Sequence, residues 1–161
     1  MGELINQWKK QAKNKQAQHK SFLKSIKKNK QAAKVSAKIH TQVFKEIDCL
    51  DCANCCTSIP PIVKPSDIKR IAKHLGLSIA SFREKYLLVD EDGDTVINSS
   101  PCPFLETDNK CSIYAYRPNA CRAYPHTGEY EFMDNLDLHA QNANYCPAVF
   151  QILERLSQQL K

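Results

Sequence analysis

The chain has 161 residues and a formal net charge of +6, a length that suits one compact domain with an extension. Residues 1–46 carry twelve lysines against Glu3 and Glu46, a local net of +10, which leaves −4 for the remainder. No run approaches the ~18 apolar residues of a membrane span, and MGELINQWKKQAKNK lacks the apolar core of an export signal, so a soluble, cytosolic protein is expected.

From Glu3 to about Ile47 there is no proline or glycine, and Lys, Gln and Ala dominate, which predicts one long helix or two shorter ones. Leu4, Trp8 and Ala12, then Phe22 and Ile26, then Val35, Ile39 and Val43 recur at four-residue spacing. The stripe is narrow and broken. Its ends near Trp8 and Val43 to Ile47 are expected to touch a core, with the lysine-rich middle in solvent. Trp8 and Phe22 among the lysines raise RNA or an acidic protein as a partner, although no recognisable nucleic-acid module accompanies them.

The prolines of Ile59-Pro60-Pro61-Ile62-Val63-Lys64-Pro65 forbid helix and predict an extended crossing segment. A helix is expected next, with Ser66 as N-cap, Asp67 in its first turn, Ile68, Ile71, Ala72 and Leu75 on one face, and Gly76 as its stop. Ser78 is placed as the cap of a second helix carrying Ile79, Phe82 and Tyr86. Leu87-Leu88-Val89 and Thr95-Val96-Ile97 flank the acidic turn Asp90 to Asp94 and predict a short hairpin. That turn is no calcium loop: counted from Asp90, position six is Thr95 where glycine is required, and position twelve is Pro101 where a bidentate glutamate is required. His19, His40, His74 and His139 have no ligand spacing and are expected to be packed or solvated. A last helix is predicted from Pro147 on Val149, Ile152, Leu153 and Leu156.

The chemistry lies in the cysteines. Cys49, Cys52, Cys55 and Cys56 form C-x2-C-x2-C-C, and Cys102, Cys111, Cys121 and Cys146 follow at spacings of 9, 10 and 25. In a reducing compartment such clustering reads as metal ligation before disulfide formation. A C-x2-C step lets one tight turn aim two sulfurs at one ion. Adjacent Cys55 and Cys56 are expected to diverge, and so to serve different metals or leave one thiol spare. The later cysteines lack local partners, so the fold is expected to return them to the first cluster. All-sulfur ligation excludes calcium and magnesium and favours zinc, an iron–sulfur cluster or copper(I). The ferredoxin run is matched only in part, because Ile59 stands where its fourth cysteine belongs. Arg117 and Arg122 are candidate donors to the sulfurs, Tyr114, Tyr124 and His126 line a small pocket or simply pack, and His126 is a reserve ligand.

CLDCANCC at 49–56, CPFL at 102–105, CSIYAYRPNACRAYP at 111–125 and Cys146-Pro147 together resemble the YkgJ-type cysteine-cluster family, the zinc- or iron-chelating CxxCxxCC domain. The resemblance spans roughly residues 46–150. It implies metal chelation through these eight cysteines. Members of the family also bear the description iron–sulfur oxidoreductase, which leaves enzymatic activity open, and the resemblance supplies no substrate. The expected fold is a small, loop-rich, metal-stabilised α+β domain with a long basic N-terminal helix: residues 1–46 as the basic helical extension and 47–161 as the cysteine-cluster domain.

Overall fold

The computed structural model describes residues 2–128 and 131–160, with side chains described from Trp8 onward, so Leu4 lies outside the described side chains. Helices predominate, accompanied by one two-stranded antiparallel sheet, an α+β architecture. The chain divides into two compact units: residues 1–48 with 125–161, and residues 49–124.

The first unit is helical. The basic N-terminal segment forms α1 (Gly2–Ser25) and α2 (Ala32–Glu46), joined by a turn in which the Asn29 side chain accepts a hydrogen bond from the Gln31 N–H at 2.9 Å. Near the other end of the chain lie α8 (Leu136–Asn142) and α9 (Pro147–Gln159). (The elements numbered between these belong to the second unit.) α1 packs on α8 and α9, and α2 packs on α9. Trp8, Ala12, His19, Leu23 and Ile26 form a buried seam along the first segment, and Ile39 and Val43 continue it in α2. The seam is narrow enough that ten of the twelve lysines remain exposed. The N-terminal segment is thus more than a solvated arm touching a core at its ends: its middle is buried as well. The sequence boundary at 46/47 divides charge and cysteine content, whereas packing joins 1–48 to 125–161.

Polar contacts fix the seam. The Trp8 indole N–H donates to the Ala143 carbonyl at 3.1 Å. His19 Nε2 meets Glu154 Oε1 at 2.8 Å, and Lys15 reaches the other oxygen of the same carboxylate. The first contact ties α1 to the end of α8, and the other two hold it against α9. His139 is fully buried, with Nε2 2.8 Å from the Phe132 carbonyl. Burial lowers its pKa to about 4, since charging the ring there would strip water from a cation.

The second unit is built on α5 (Pro65–His74), α6 (Ile79–Tyr86) and the hairpin β1 (Leu87–Val89) and β2 (Thr95–Ile97), with Leu87 opposite Ile97. The proline-rich segment runs extended beside β2: Val63 N–H donates to the Thr95 carbonyl at 2.8 Å, and Ile97 N–H donates to that of Pro61 at 3.2 Å. Val63, Ile68, Ile71, Phe82, Ile97, Phe104 and Ile113 share its core. Ser78 caps α6 as expected, its Oγ accepting from Ser81 N–H at 3.0 Å. Gly76, at φ +66°, ends the preceding helix in the left-handed region that glycine tolerates. The cap of α5 is Lys64 and not Ser66. Pro65 occupies the first helical position, where a missing N–H costs nothing, and Asp67 accepts the Lys64 N–H at 3.1 Å.

Among the described residues, no helix is long and apolar enough to cross a membrane.

Candidate metal centre

Two one-turn helices carry the first four cysteines: α3 (Cys49–Cys52) and α4 (Asn54–Ser58). Ala53 lies between them at φ +44°, a left-handed kink unusual for alanine. Cys49 and Cys52 stand three residues apart on one helical turn, so they occupy neighbouring positions of its surface. The kink then redirects the chain, so that Cys55 and Cys56 leave on a new axis.

The expected divergence of Cys55 and Cys56 is not found: their sulfurs lie 4.0 Å apart. The expectation rested on an extended backbone, whereas α4 is helical. With zinc–sulfur bonds of ~2.3 Å, a tetrahedral site has sulfur–sulfur edges of roughly 3.8 Å. The observed separation is close to that edge. A hydrogen bond with the Cys55 thiol pulls the Cys56 pKa down to about 7 against the opposing effect of burial.

The later cysteines are brought to this cluster by backbone bonds. Cys102 N–H donates to the Cys56 carbonyl at 2.9 Å, which ties the two halves of the motif together directly. Leu105 and Cys111 then pair as an antiparallel bridge, with Ser112 N–H on the Phe104 carbonyl at 2.8 Å. The loop between them turns at Asn109, whose φ is +65° and whose side-chain amide donates to the Asp51 carbonyl at 3.2 Å. Cys121 sits on α7 (Asn119–Ala123).

Cys56, Cys102, Cys111 and Cys121, from four separate stretches of chain, lie within electrostatic range of one another. Burial pushes the Cys102 and Cys111 thiols upward, and nearby thiolates add to the effect. Cys121 is pushed up to about 12, by burial first and then by Cys56, Cys102 and Cys111. Cys102, Cys111 and Cys121 resist ionisation beside Cys56, whose thiol ionises more readily, and a divalent cation would stabilise all four thiolates at once. The chemistry of the donors fits zinc or iron. Among the described residues, however, no three His, Cys, Asp or Glu side chains converge in the geometry that holds an ion. All eight cysteines are free of disulfides. Cys49 is exposed and Cys52 half-buried, while Cys146 is buried at the N-cap of α9 in the helical unit.

The two arginines serve the backbone. Arg117 Nη1 donates to the Tyr114 carbonyl at 2.6 Å, and Arg122 Nε donates to that of Arg117 at 3.4 Å. Arg117 still lowers the pKa of Cys111 and Cys121 through its charge. Tyr114 is exposed. His126 belongs to the helical unit, at φ +61°.

Asp67, expected only as a first-turn residue of its helix, is also a positioning residue. Fully buried, it accepts from Arg70 Nη2 at 2.8 Å and from Asn119 N–H at 3.2 Å, besides Lys64. It thereby fixes the start of the helix bearing Cys121 to the start of α5. Its place at the third position of a helix was the available signal, but only the fold discloses the contact with residue 119.

A small protein whose thiols gather from four segments around one another has the donor chemistry of the thiolate metal chelators. The chain belongs to the CxxCxxCC family, described as "Putative zinc- or iron-chelating domain", whose model matches residues 48–147. No curated protein and no solved structure matches it.

Proposed function

We propose that the protein binds a metal through its cysteine thiolates, with Cys56, Cys102, Cys111 and Cys121 as one ligand set and Cys49, Cys52 and Cys55 as further donors beside it; Cys146 adds an eighth thiol in the helical unit. The observation that carries this reading is the 2.9 Å hydrogen bond from the Cys102 N–H to the Cys56 carbonyl, which ties the two halves of the cysteine motif together inside the region that defines the family. Closely spaced cysteines acting as metal ligands suit a reducing compartment, the cytosol. The exposed lysines of α1 and α2 add an electrostatic footing for RNA or an acidic partner.

Elemental analysis of untagged protein from zinc- and iron-replete cells, purified without oxygen, tests the proposal. The expected result is colourless protein with stoichiometric zinc, and a marked loss of metal in Cys102→Ser and Cys121→Ser. A brown preparation absorbing near 400 nm would replace zinc by an iron–sulfur cluster and open the redox reading, an oxidoreductase or electron carrier. Metal-free protein that takes up neither metal would remove the proposal altogether.

A further inference from the structure

The arginines of the second unit are unevenly placed. Three arginines converge on one four-residue stretch, Tyr114 to Arg117: Arg117 itself on the Tyr114 carbonyl, Arg122 on the Ala115 carbonyl and again on that of Arg117, and Arg70 Nη2 on the Arg117 carbonyl at 3.0 Å. Asp67, fully buried, is the carboxylate paired with Arg70 there. The acidic groups Asp90, Glu91, Asp92 and Asp94 lie instead on the hairpin turn.

Two large rings stand in the same turn, and burial does not account for them. Tyr114 is 51% exposed and Tyr116 is 39% exposed. Each has a planar nitrogen-bearing group against it. The Arg117 guanidinium lies 3.8 Å from the centroid of Tyr114. The His74 ring stacks on Tyr116 at 3.9 Å and 13°. Both tyrosines sit in a 3-10 turn, Tyr114–Tyr116, whose carbonyls the arginines hold. The rings are thus ordered before any partner arrives, which reduces the entropy a partner must overcome. The metal reading gives Arg117 a charge near Cys111 and Cys121 but leaves the two exposed rings unexplained.

An exposed pair of ordered aromatic rings set among guanidinium groups fits a ligand with flat π-faces joined by anionic links. Such surfaces in single-strand binders combine base stacking with electrostatic attraction to phosphate. An acidic protein would satisfy the charges but would leave the flat rings without a matching partner. We propose that the Tyr114 to Arg117 turn, with His74 and Arg122, is a stacking platform for single-stranded nucleic acid.

The test uses the full metal-loaded chain and a fluorescently labelled twelve-nucleotide oligouridine, read by anisotropy at ~0.15 M salt, where exposed charges are screened beyond roughly 8 Å. The double variant Tyr114→Ala/Tyr116→Ala is expected to weaken oligouridine binding by at least about tenfold, within the range that stacking of one base supports. Heparin, a polyanion without bases, should bind it as it binds the unaltered protein, which controls for the exposed lysines of residues 1–46. Tyr114→Phe/Tyr116→Phe keeps the rings and should retain binding, so a folding defect in the alanine variant cannot be mistaken for lost stacking. Arg117→Gln should lower the slope of log affinity against log salt by about one. Undiminished oligouridine binding by the alanine variant, an equal loss of heparin binding, or no oligouridine binding by the unaltered chain would each overturn the proposal. So would a twelve-residue oligoglutamate that binds as tightly as the oligonucleotide, since that would assign the surface to an acidic protein.

Discussion

Replacing Asp67 by asparagine would test whether one buried carboxylate aligns the helix that bears Cys121. The substitution keeps the shape and removes the charge. Arg70 Nη2 loses an ionised acceptor at 2.8 Å, and the Lys64 and Asn119 N–H groups are left with an amide that has a single acceptor oxygen in place of two. Breaking a fully buried pair by removing one partner costs ~3–5 kcal/mol, but Arg70 is 31% exposed and can be partly rehydrated. Hydrogen bonds to charged groups contribute ~1.5–3 kcal/mol. A net loss of about 3 kcal/mol follows, equivalent to a fall in melting temperature of roughly 6–12 °C for a chain of this size. Thermal unfolding by circular dichroism provides the measurement, with metal content determined on the same samples. Metal should be retained less firmly against a chelator, because the start of α7 is no longer anchored. A melting temperature within about 2 °C of the unaltered protein, with chelator sensitivity unchanged, would refute the role assigned to Asp67.

Truncation addresses the N-terminal helices: a chain beginning at Gln42 removes the buried Ile39 and the whole α1 seam, and is expected to lose cooperative unfolding of the helical unit. If it melts as the full chain does, the seam contributes nothing. Acid should weaken the fold through His139, whose lowered pKa means that the folded state resists a proton the unfolded chain accepts. The stability it contributes is present above about pH 6.5 and is lost as the pH falls toward 4, by an amount on the order of 2–3 kcal/mol. Chemical denaturation across that range, repeated on His139→Gln, would show a shallower acid slope in the variant; identical slopes would count against it.

Local signals in the sequence carried much of the fold. The hairpin, the Ser78 cap and the Pro147 start follow from side chains within a few residues of one another, and each is found at its expected position. Lys64 displaced Ser66 as a cap because a proline at the first helical position and an aspartate at the third outweigh a serine between them. The N-terminal pattern was legible as helix but not as a buried seam, since its partners α8 and α9 lie more than a hundred residues further on and two of its buried members are alanine and histidine. At the candidate site, spacing identified the donors without sorting them. Cys102 reaches Cys56 through a backbone bond that no spacing rule encodes, and the Cys55 and Cys56 pairing depends on a one-turn helix set by a kink at alanine.

The helical unit draws on both ends of the chain, whereas the second unit is one continuous stretch. This arrangement sets an order of events during synthesis. Residues 49–124 can leave the ribosome, collapse on their own core and bring their thiols together while α1 and α2 still await α8 and α9. Until α9 emerges, Trp8, Leu23 and Ile39 have no surface to cover them. The interval is one in which the nascent chain displays an apolar seam bordered by ten exposed lysines, and its vulnerability to aggregation or proteolysis ends only once α8 and α9 have been made.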